Sequence, residues 1–319
     1  MSNYNAAAMR KMNKKKPFNF ARWWIKNWQL LAMVLLPLCF VLVFYYGPMY
    51  GLQIAFKNFK ASDGMWGSRW VGLEHFIKFF NSYQFERVLR NTLIISFYGL
   101  IAGFPIPIIL ALGLNCTQNL KFKKTVQLVT YAPYFISNVV LVSMIIQILS
   151  PKYGLVNMAI KALGGSEVLF MATGQYFSSI YVWSGIWQTM GWSAIIYISA
   201  LSSIDPTLHE AAIVDGASRF KRIIHIDIPG ILPTIVILLI LNAGSIMNVG
   251  FEKVFIMQNA TNTEYSEVIS TLIYKTGIQA SIPNYSYSTA IGLFNNLVNF
   301  LLLVGVNTFA KKFGETSLW

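Results

Sequence analysis

Apolar residues arrive in blocks of about 20, and the length of these blocks constrains this chain more than any other feature. A helix rises about 1.5 Å per residue, so about 20 residues cross the hydrocarbon core of a bilayer. We predict membrane-spanning helices at Leu30–Tyr50, Thr92–Asn115, Thr125–Leu149, Tyr176–Leu201, Ile231–Gly250 and Tyr287–Ala310. The predicted fold class is therefore an all-α polytopic membrane protein with about six transmembrane helices.

Composition supports lipid as the solvent. Of the 319 residues, 55% are hydrophobic and 12% are charged, whereas a soluble domain carries about 25% charged residues. The net charge of +13 would suggest nucleic-acid binding in a soluble protein, but here Lys and Arg lie between the apolar blocks. We therefore expect contact with membrane lipid and no nucleic-acid partner. Cys39 and Cys116 lack metal-ligand spacing, so we expect them to pack and expect no metal site.

Basic residues set the predicted orientation, because short segments rich in Lys and Arg stay in the cytoplasm. With a cytoplasmic N-terminus, 15 of the 25 Lys and Arg residues fall on the cytoplasmic side. Both termini are then cytoplasmic. The predicted parts are a basic tail with an interfacial helix (1–28), a transmembrane domain (29–310) and a cytoplasmic tail (311–319). Within the transmembrane domain, residues 51–91 form an external cap and residues 202–230 a cytoplasmic segment.

Aromatic and basic residues mix before the first span. They are Phe18, Phe20, Trp23, Trp24 and Trp28 with Arg22 and Lys26. This mixture suits a short helix lying in the membrane interface. A simple aromatic belt at the end of the first span is an equal alternative.

Ionisable side chains are missing from the interior of every predicted span. Proton relays are normally built from such groups, so a proton-coupled symporter is disfavoured, whereas sodium coupling through neutral oxygens stays open. The chain also lacks the GxxxxGK[ST] loop that cradles the phosphates of ATP. Any energy for active transport must then come from another subunit.

The segment between the fourth and fifth predicted spans carries the most informative pattern. Asp205-Pro206 is typical of a helix start, because proline lacks only an N–H that would be unpaired there. Gly216 suits the left-handed conformation that ends a helix, and Ser218 suits the cap of a second one. We predict that Asp227 and Pro229 introduce the fifth span in the same way.

Small and acidic residues line this segment. Ala211, Ala212 and Ala217 keep its surface shallow, whereas Glu210 and Asp215 add carboxylates that a basic partner can meet. A shallow, rigid surface is suited to docking. By spacing alone, a solvated loop that merely connects two spans is an equal alternative.

The segment contains Glu210-Ala211-Ala212, then Gly216 after three residues, and then Ile226, Ile228 and Pro229 after nine more. This spaced pattern resembles the EAA signature of binding-protein-dependent ABC import permeases. The family usually has Leu where Ile228 stands. Asp215 matches the Asp-Gly-Ala form of its sugar transporters, which include the maltose-type permeases.

Flanking segments narrow the resemblance. Val71-Gly72-Leu73, Asn91-Thr92, Gly250-Phe251-Glu252 and the 314–319 tail are similar to the LplB-type branch, which is associated with polysaccharide-derived sugars. The likeness covers nearly the whole chain after about residue 28.

This resemblance implies a type I ABC importer fold in a bacterial inner or plasma membrane. The implied partners are a second homologous permease subunit, two ATPase subunits, an extracytoplasmic solute-binding protein and an oligosaccharide. No cofactor is expected in this chain, because ATP and Mg²⁺ would be bound by the partner ATPase. The resemblance also implies that the residues that couple this chain to the ATPase are Glu210, Ala211, Ala212, Asp215, Gly216, Ala217, Ile226 and Pro229.

Uncharged polar side chains and tryptophans mark a candidate substrate pathway, since hydroxyl-rich sugars need hydrogen bonds and stacking without a counter-charge. On spans four to six these are Trp187, Gln188, Trp192, Asn242, Ser245, Asn248, Asn295, Asn296 and Asn299. Interhelical hydrogen bonding is the alternative for each asparagine.

The sequence thus predicts an oligosaccharide importer's permease subunit that is not itself an ATPase. A sodium-coupled or facilitative sugar carrier acting without an ATPase is the alternative. A polytopic membrane enzyme ranks third, because no set of acids, His or Cys converges.

Overall fold

The computed structural model describes residues 26–313, 317 and 318. The predicted basic tail, most of the interfacial helix and most of the 314–319 tail lie outside these residues. The described chain belongs to two compact units that divide between Gln53 and Ile54. Apart from one short antiparallel ladder, which pairs Lys57 with Trp70 and Asn58 with Arg69, its regular structure is helical.

The first unit contains α1 (Trp28–Val41), a π turn (Leu42–Tyr46) and α2 (Gly47–Met49), followed by a 3-10 helix (Tyr50–Phe56) that enters the second unit. The second unit continues with β1 (Lys57–Asn58), α3 (Gly64–Gly67), β2 (Arg69–Trp70), α4 (Glu74–Phe80), α5 (Tyr83–Gly103), α6 (Pro105–Asn115), α7 (Leu120–Tyr131), α8 (Asn138–Ile148), α9 (Leu155–Ala162), α10 (Phe177–Ser202), α11 (Pro206–Val214), α12 (Arg219–Arg222), α13 (Ile228–Gly244), α14 (Phe251–Met257), α15 (Thr263–Ser266), α16 (Ile269–Tyr274) and α17 (Tyr285–Phe313).

Four helical stretches in the described chain are long and apolar enough to cross a membrane. They are Trp28–Phe56, Tyr83–Asn115, Arg219–Gly244 and Tyr285–Lys312. These stretches correspond to the first, second, fifth and sixth predicted spans. The second and fifth begin well before the predicted residues, because helical structure continues into the connecting segments.

The third predicted span, Thr125–Leu149, is broken into two helices. Its two halves are bent by 102°, and taken together as one broken span they give a fifth crossing. Pro133 lies in a 3-10 turn after α7, and the chain is then extended at Ser137. The Ser137 hydroxyl accepts the Val140 N–H at 3.4 Å and so caps α8.

The fourth predicted span is the single helix α10, which is not apolar enough to meet the same criterion. Instead, α10 packs against other helices. Near its middle, a Cβ on Gly191 would collide with the backbone of Thr130 on α7, so glycine permits this close approach.

Three buried clusters hold the second unit together. The first joins α4, α5, α16 and α17 through Phe79, Val88, Met247, Ile269, Leu272, Tyr287 and Ile291. The second joins α5, α8, α10 and α14 through Ile95, Val142, Phe177, Val249, Val254, Met257 and Val268. The third joins α6, α10 and α13 through Ala111, Leu112, Ala194, Tyr197, Leu201 and Ile231. Helix α10 therefore contributes to two of these clusters.

Candidate functional site

The 202–230 segment begins with a capped helix, and this prediction is confirmed. The Asp205 carboxylate accepts the Thr207 N–H at 3.0 Å, and Pro206 is the first residue of α11. The hydrogen bond from the Thr207 backbone lowers the pKa of the Asp205 carboxyl, because it favours the ionised form. The cap therefore persists at neutral pH and fixes where α11 begins.

Helix α11 ends in a Schellman turn around Gly216. The Ala217 N–H donates to the Ala212 carbonyl at 2.8 Å, and the Gly216 N–H donates to the Ile213 carbonyl at 3.0 Å. Gly216 has a φ of +74°, in the left-handed region that favours glycine. No neighbouring atom lies within 4 Å of the position its Cβ would take. The backbone conformation of Gly216 alone therefore directs the chain away from α11.

The second helix of the segment continues into the fifth span. Ser218 caps α12 by accepting a backbone N–H at 3.4 Å, and α12 then runs through a π turn (Ile223–Asp227) into α13. The prediction that Asp227 caps a new helix is wrong, because its backbone is helical and it makes no cap hydrogen bond. The π turn ends two residues before Pro229, which cannot donate a backbone hydrogen bond. One helical stretch thus covers Arg219–Gly244.

Asp227 holds other elements in place. Its buried carboxylate accepts a hydrogen bond from Asn115 Nδ2 at 3.3 Å and lies 3.4 Å from His209 Nε2. Asn115 is the last residue of α6, and His209 lies on α11. These contacts attach α11 to α6 and to the start of the fifth span.

Apolar side chains project from the outer side of the 202–230 segment. Val214 is 87% exposed and Phe220 is 69% exposed, and Leu208 and Ile213 are also exposed. Sequence analysis missed them because it considered only the small and acidic residues. Of the predicted coupling residues, Glu210, Ala211, Asp215, Gly216 and Pro229 are exposed, whereas Ala212, Ala217 and Ile226 are half-buried. An exposed apolar surface beside two carboxylates fits a protein partner.

A cavity of about 870 Å³ lies among α5, α6, α8, α10, α13 and α14. This volume is within the range of small-molecule sites, and Ser96, Thr189 and Ser193 add hydroxyls to its wall. Five predicted pathway residues line the cavity, namely Gln188, Trp192, Asn242, Ser245 and Asn248; Trp187, Asn295, Asn296 and Asn299 do not. Among residues 26–313, 317 and 318, no three His, Cys, Asp or Glu side chains group as metal ligands.

Two lining side chains are fixed by the break between α7 and α8. Gln188 Nε2 donates to the Ile136 carbonyl at 2.8 Å, which satisfies a carbonyl outside regular helix. The Trp192 ring stacks on Tyr134, with centroids 4.5 Å apart and 5° between the planes. Asn242, by contrast, is exposed and donates to a carbonyl of its own helix at 2.7 Å. Its side-chain oxygen is therefore available to a ligand.

Three asparagines form a cluster between α17 and the turn after α13. Asn248 Oδ1 accepts hydrogen bonds from Asn295 Nδ2 at 3.0 Å and from Asn299 Nδ2 at 2.9 Å. Asn299 Oδ1 in turn accepts the Met247 N–H at 2.9 Å. Asn295 and Asn299 are buried in this cluster, whereas Asn296 is exposed outside it. The geometry gives Asn295 and Asn299 packing contacts and leaves Asn248 on the cavity wall.

Lys253 is a buried cation in the wall of the same cavity, and sequence analysis did not single it out. The residue is 6% exposed, and its Nζ donates to the Tyr181 carbonyl at 2.9 Å and lies 4.7 Å from the Tyr181 ring centroid. Burial lowers the pKa of this ammonium to about 8. Adjacent Glu252 accepts a hydrogen bond from Asn138 Nδ2 at 2.6 Å. In the sequence, the signal for this residue is the charged pair Glu252-Lys253, which follows the apolar block of the fifth predicted span.

The fold, the rigid 202–230 segment and the polar cavity together define the membrane-embedded permease chain of an ABC importer. Residues 103–314 match the family described as binding-protein-dependent transport system inner membrane component, and the chain belongs to this family. It is thus a multi-pass membrane protein and a transporter subunit. Membership of this family favours the predicted function as part of an ABC importer over the alternative of a carrier that acts without an ATPase.

Two relatives from Bacillus subtilis (strain 168) match most of the chain. The polygalacturonan/rhamnogalacturonan transport system permease protein YteP is 41% identical over 290 residues, which cover 91% of this chain and 90% of the relative. Protein LplB is 40% identical over 296 residues, which cover 92% of each chain.

A solved structure confirms the predicted fold class. A chain of the bacterial alginate ABC transporter, crystallised with an alginate pentasaccharide-bound periplasmic protein, matches with a TM-score of 0.85 and 37% identity. The match covers 94% of this chain and 99% of that one. The orientation of the termini stays a prediction.

Proposed function

We propose that this chain, paired with a second homologous permease, forms the pathway for oligosaccharide uptake across a bacterial inner or plasma membrane and couples it to ATP hydrolysis. One observation carries the proposal: the helical stretch Arg219–Gly244 begins in the exposed 202–230 segment and ends beside the polar cavity, where Asn242 and Ser245 lie. At about 1.5 Å per residue, such a helix spans the bilayer. Movement of the docking surface can therefore be transmitted to the cavity wall.

The 202–230 segment is the proposed contact with one of two ATPase subunits. Its capped helix, Schellman turn and Asp227 network hold α11 in one orientation, and the exposed apolar side chains supply a surface for docking. ATP and Mg²⁺ bind in the ATPase partners. This arrangement requires a cytoplasmic 202–230 segment and cytoplasmic termini, as the distribution of basic residues predicts.

The proposed substrate is an oligosaccharide delivered by an extracytoplasmic solute-binding protein. Amides, hydroxyls and a tryptophan on the cavity wall suit sugar hydroxyls and sugar rings. The relative YteP is a permease for polygalacturonan and rhamnogalacturonan transport, and the similar alginate transporter was crystallised with a periplasmic protein. These relatives support a polysaccharide-derived sugar and a binding-protein partner.

Co-purification tests the proposal. A tagged chain expressed in its native host should recover a second permease and an ATPase, and the complex in proteoliposomes should take up sugar only with ATP inside. The chain alone should show no sugar flux. Flux by the purified single chain without ATP would instead support a facilitative or sodium-coupled carrier.

A further inference from the structure

Lys253 introduces a positive charge into a cavity whose other polar groups are mostly neutral. Among the described residues that line this cavity, Lys253 is the single Lys or Arg and Glu252 the single carboxylate. Glu252 is engaged by Asn138, and within the described chain no carboxylate lies at ion-pair distance from Lys253. Within the part of the chain that the structure describes, this buried cation therefore has no carboxylate counter-ion.

The ammonium is held in position but keeps capacity for a ligand. An ammonium has three donors, and among the described residues Nζ donates one hydrogen bond, to the Tyr181 carbonyl at 2.9 Å. The Tyr181 ring gives further stabilisation from 4.7 Å. A Cβ on Gly185 would lie 3.3 Å from Nζ, so the glycine keeps the wall open beside the charge.

Burying a charge without a counter-ion is costly, and such a group is generally paired or ligand-binding. A carbonyl and an aromatic ring compensate only part of this cost. We infer that Lys253 is a specificity-determining residue that binds a carboxylate of the transported sugar, so that the pathway favours acidic oligosaccharides. This inference rests on the proposed import function and adds the residue that recognises the charge of the substrate.

The experiment compares variants of the complete transporter in proteoliposomes with its binding protein at saturation. The two probes are trigalacturonate and its fully methyl-esterified form, which has the same rings without the charges. Uptake and binding-protein-stimulated ATP hydrolysis are measured together. Lys253→Met removes the charge, Lys253→Arg retains it, and Lys152→Met removes a charge from an exposed lysine outside the cavity.

With Lys253→Met, trigalacturonate moved per ATP hydrolysed should fall about tenfold or more, the expected effect of losing a charged hydrogen bond. Stimulated hydrolysis, complex yield and uptake of any transported ester should stay within about twofold of wild type, since docking and coupling do not involve this charge. Lys253→Arg should retain most trigalacturonate uptake, and Lys152→Met should behave like wild type.

Three results would overturn the inference: normal trigalacturonate uptake by Lys253→Met, equal loss of both sugars, or uptake of only the ester by wild type. Loss of complex yield or of stimulated hydrolysis in step with uptake would show that Lys253 supports the fold. Failure of the proposed import function is a separate outcome. In that case the wild-type complex would recover no ATPase or move neither sugar.

Discussion

Replacing Gly216 by valine tests whether the 202–230 segment is a rigid coupling element. Its φ of +74° places a Cβ against its own carbonyl, which costs about 1–2 kcal/mol for an L residue and more for a β-branched one. Nothing lies within 4 Å of the new Cβ, so no collision with a neighbouring residue adds to this cost. The substitution therefore changes the local conformation without disturbing packing.

The chain can relieve this strain by leaving the left-handed region, but the Schellman turn then opens. Two hydrogen bonds are lost, at 2.8 Å and 3.0 Å, each worth about 1 kcal/mol. By either route the docking conformation loses at least about 1–2 kcal/mol, which lowers its equilibrium constant against other conformations of the segment about tenfold or more. A domain's stability of about 5–15 kcal/mol tolerates this loss, so membrane insertion and pairing with the second permease should persist.

The assay is ATPase recovery on the purified permease pair, together with binding-protein-stimulated hydrolysis and sugar uptake in vesicles. Gly216→Val should weaken attachment about tenfold or uncouple hydrolysis from uptake. Gly216→Asn should restore most function, because asparagine tolerates the left-handed region. Gly164→Val is the matched control, since Gly164 has a φ of +83° and open space around its Cβ but lies in another segment. Normal attachment, hydrolysis and uptake in Gly216→Val would show that the segment is only a connector.

Three further predictions follow from the same structure. A cysteine at Ser218, in a chain without its native cysteines, should resist an impermeant thiol reagent in intact cells, and labelling from outside would refute the topology. Asn242→Leu should impair uptake with normal complex yield, whereas Asn299→Leu should lower complex yield as well. Asn299→Leu leaves the buried Met247 N–H without a hydrogen bond, which costs about 1–3 kcal/mol of stability. Equal complex yields for the two variants would refute this distinction. Lys253→Met should raise the melting temperature at pH 7. The pKa of the Lys253 ammonium is about 8 in the folded state and 10.5 in the unfolded state, so the charged group destabilises the folded state by about 3 kcal/mol. Loss of its hydrogen bond offsets about 1 kcal/mol of the gain from removing the charge. That cost is complete below pH 8 and fades as pH rises towards 10.5, so an equal gain at pH 7 and pH 10.5 would contradict it.

Local chemistry made part of the 202–230 segment predictable. The caps at Asp205 and Ser218 and the left-handed turn at Gly216 each depend on residues within four positions along the chain. A sequence pattern contains all the partners of such a motif. The boundaries of α11 were therefore predictable without knowledge of the remaining fold.

Long-range contacts account for what the sequence did not predict. Asp227 followed the same local pattern as Asp205, but it sits in a helix that arrives from α12, and its partners are Asn115 and His209. The first of these partners is 112 positions away. Burial against α6 and α11 therefore overrode the capping preference of Asp227. The same dependence on long-range contacts explains why the sequence did not identify Lys253, whose cavity forms only when α10 and α14 pack together.

The weak hydropathy of α10 is itself informative about the pathway. A helix facing lipid must be apolar around most of its surface, whereas α10 places Phe177, Tyr197 and Leu201 in two separate protein cores. The same helix contributes Gln188, Thr189 and Ser193 to the cavity wall. Because cores and cavity occupy so much of its circumference, α10 needs less apolar surface than the other long helices. Gln188, Thr189 and Ser193 thus lower the hydropathy of α10 and also give the cavity hydrogen-bonding groups, and Tyr181 on the same helix holds the cation.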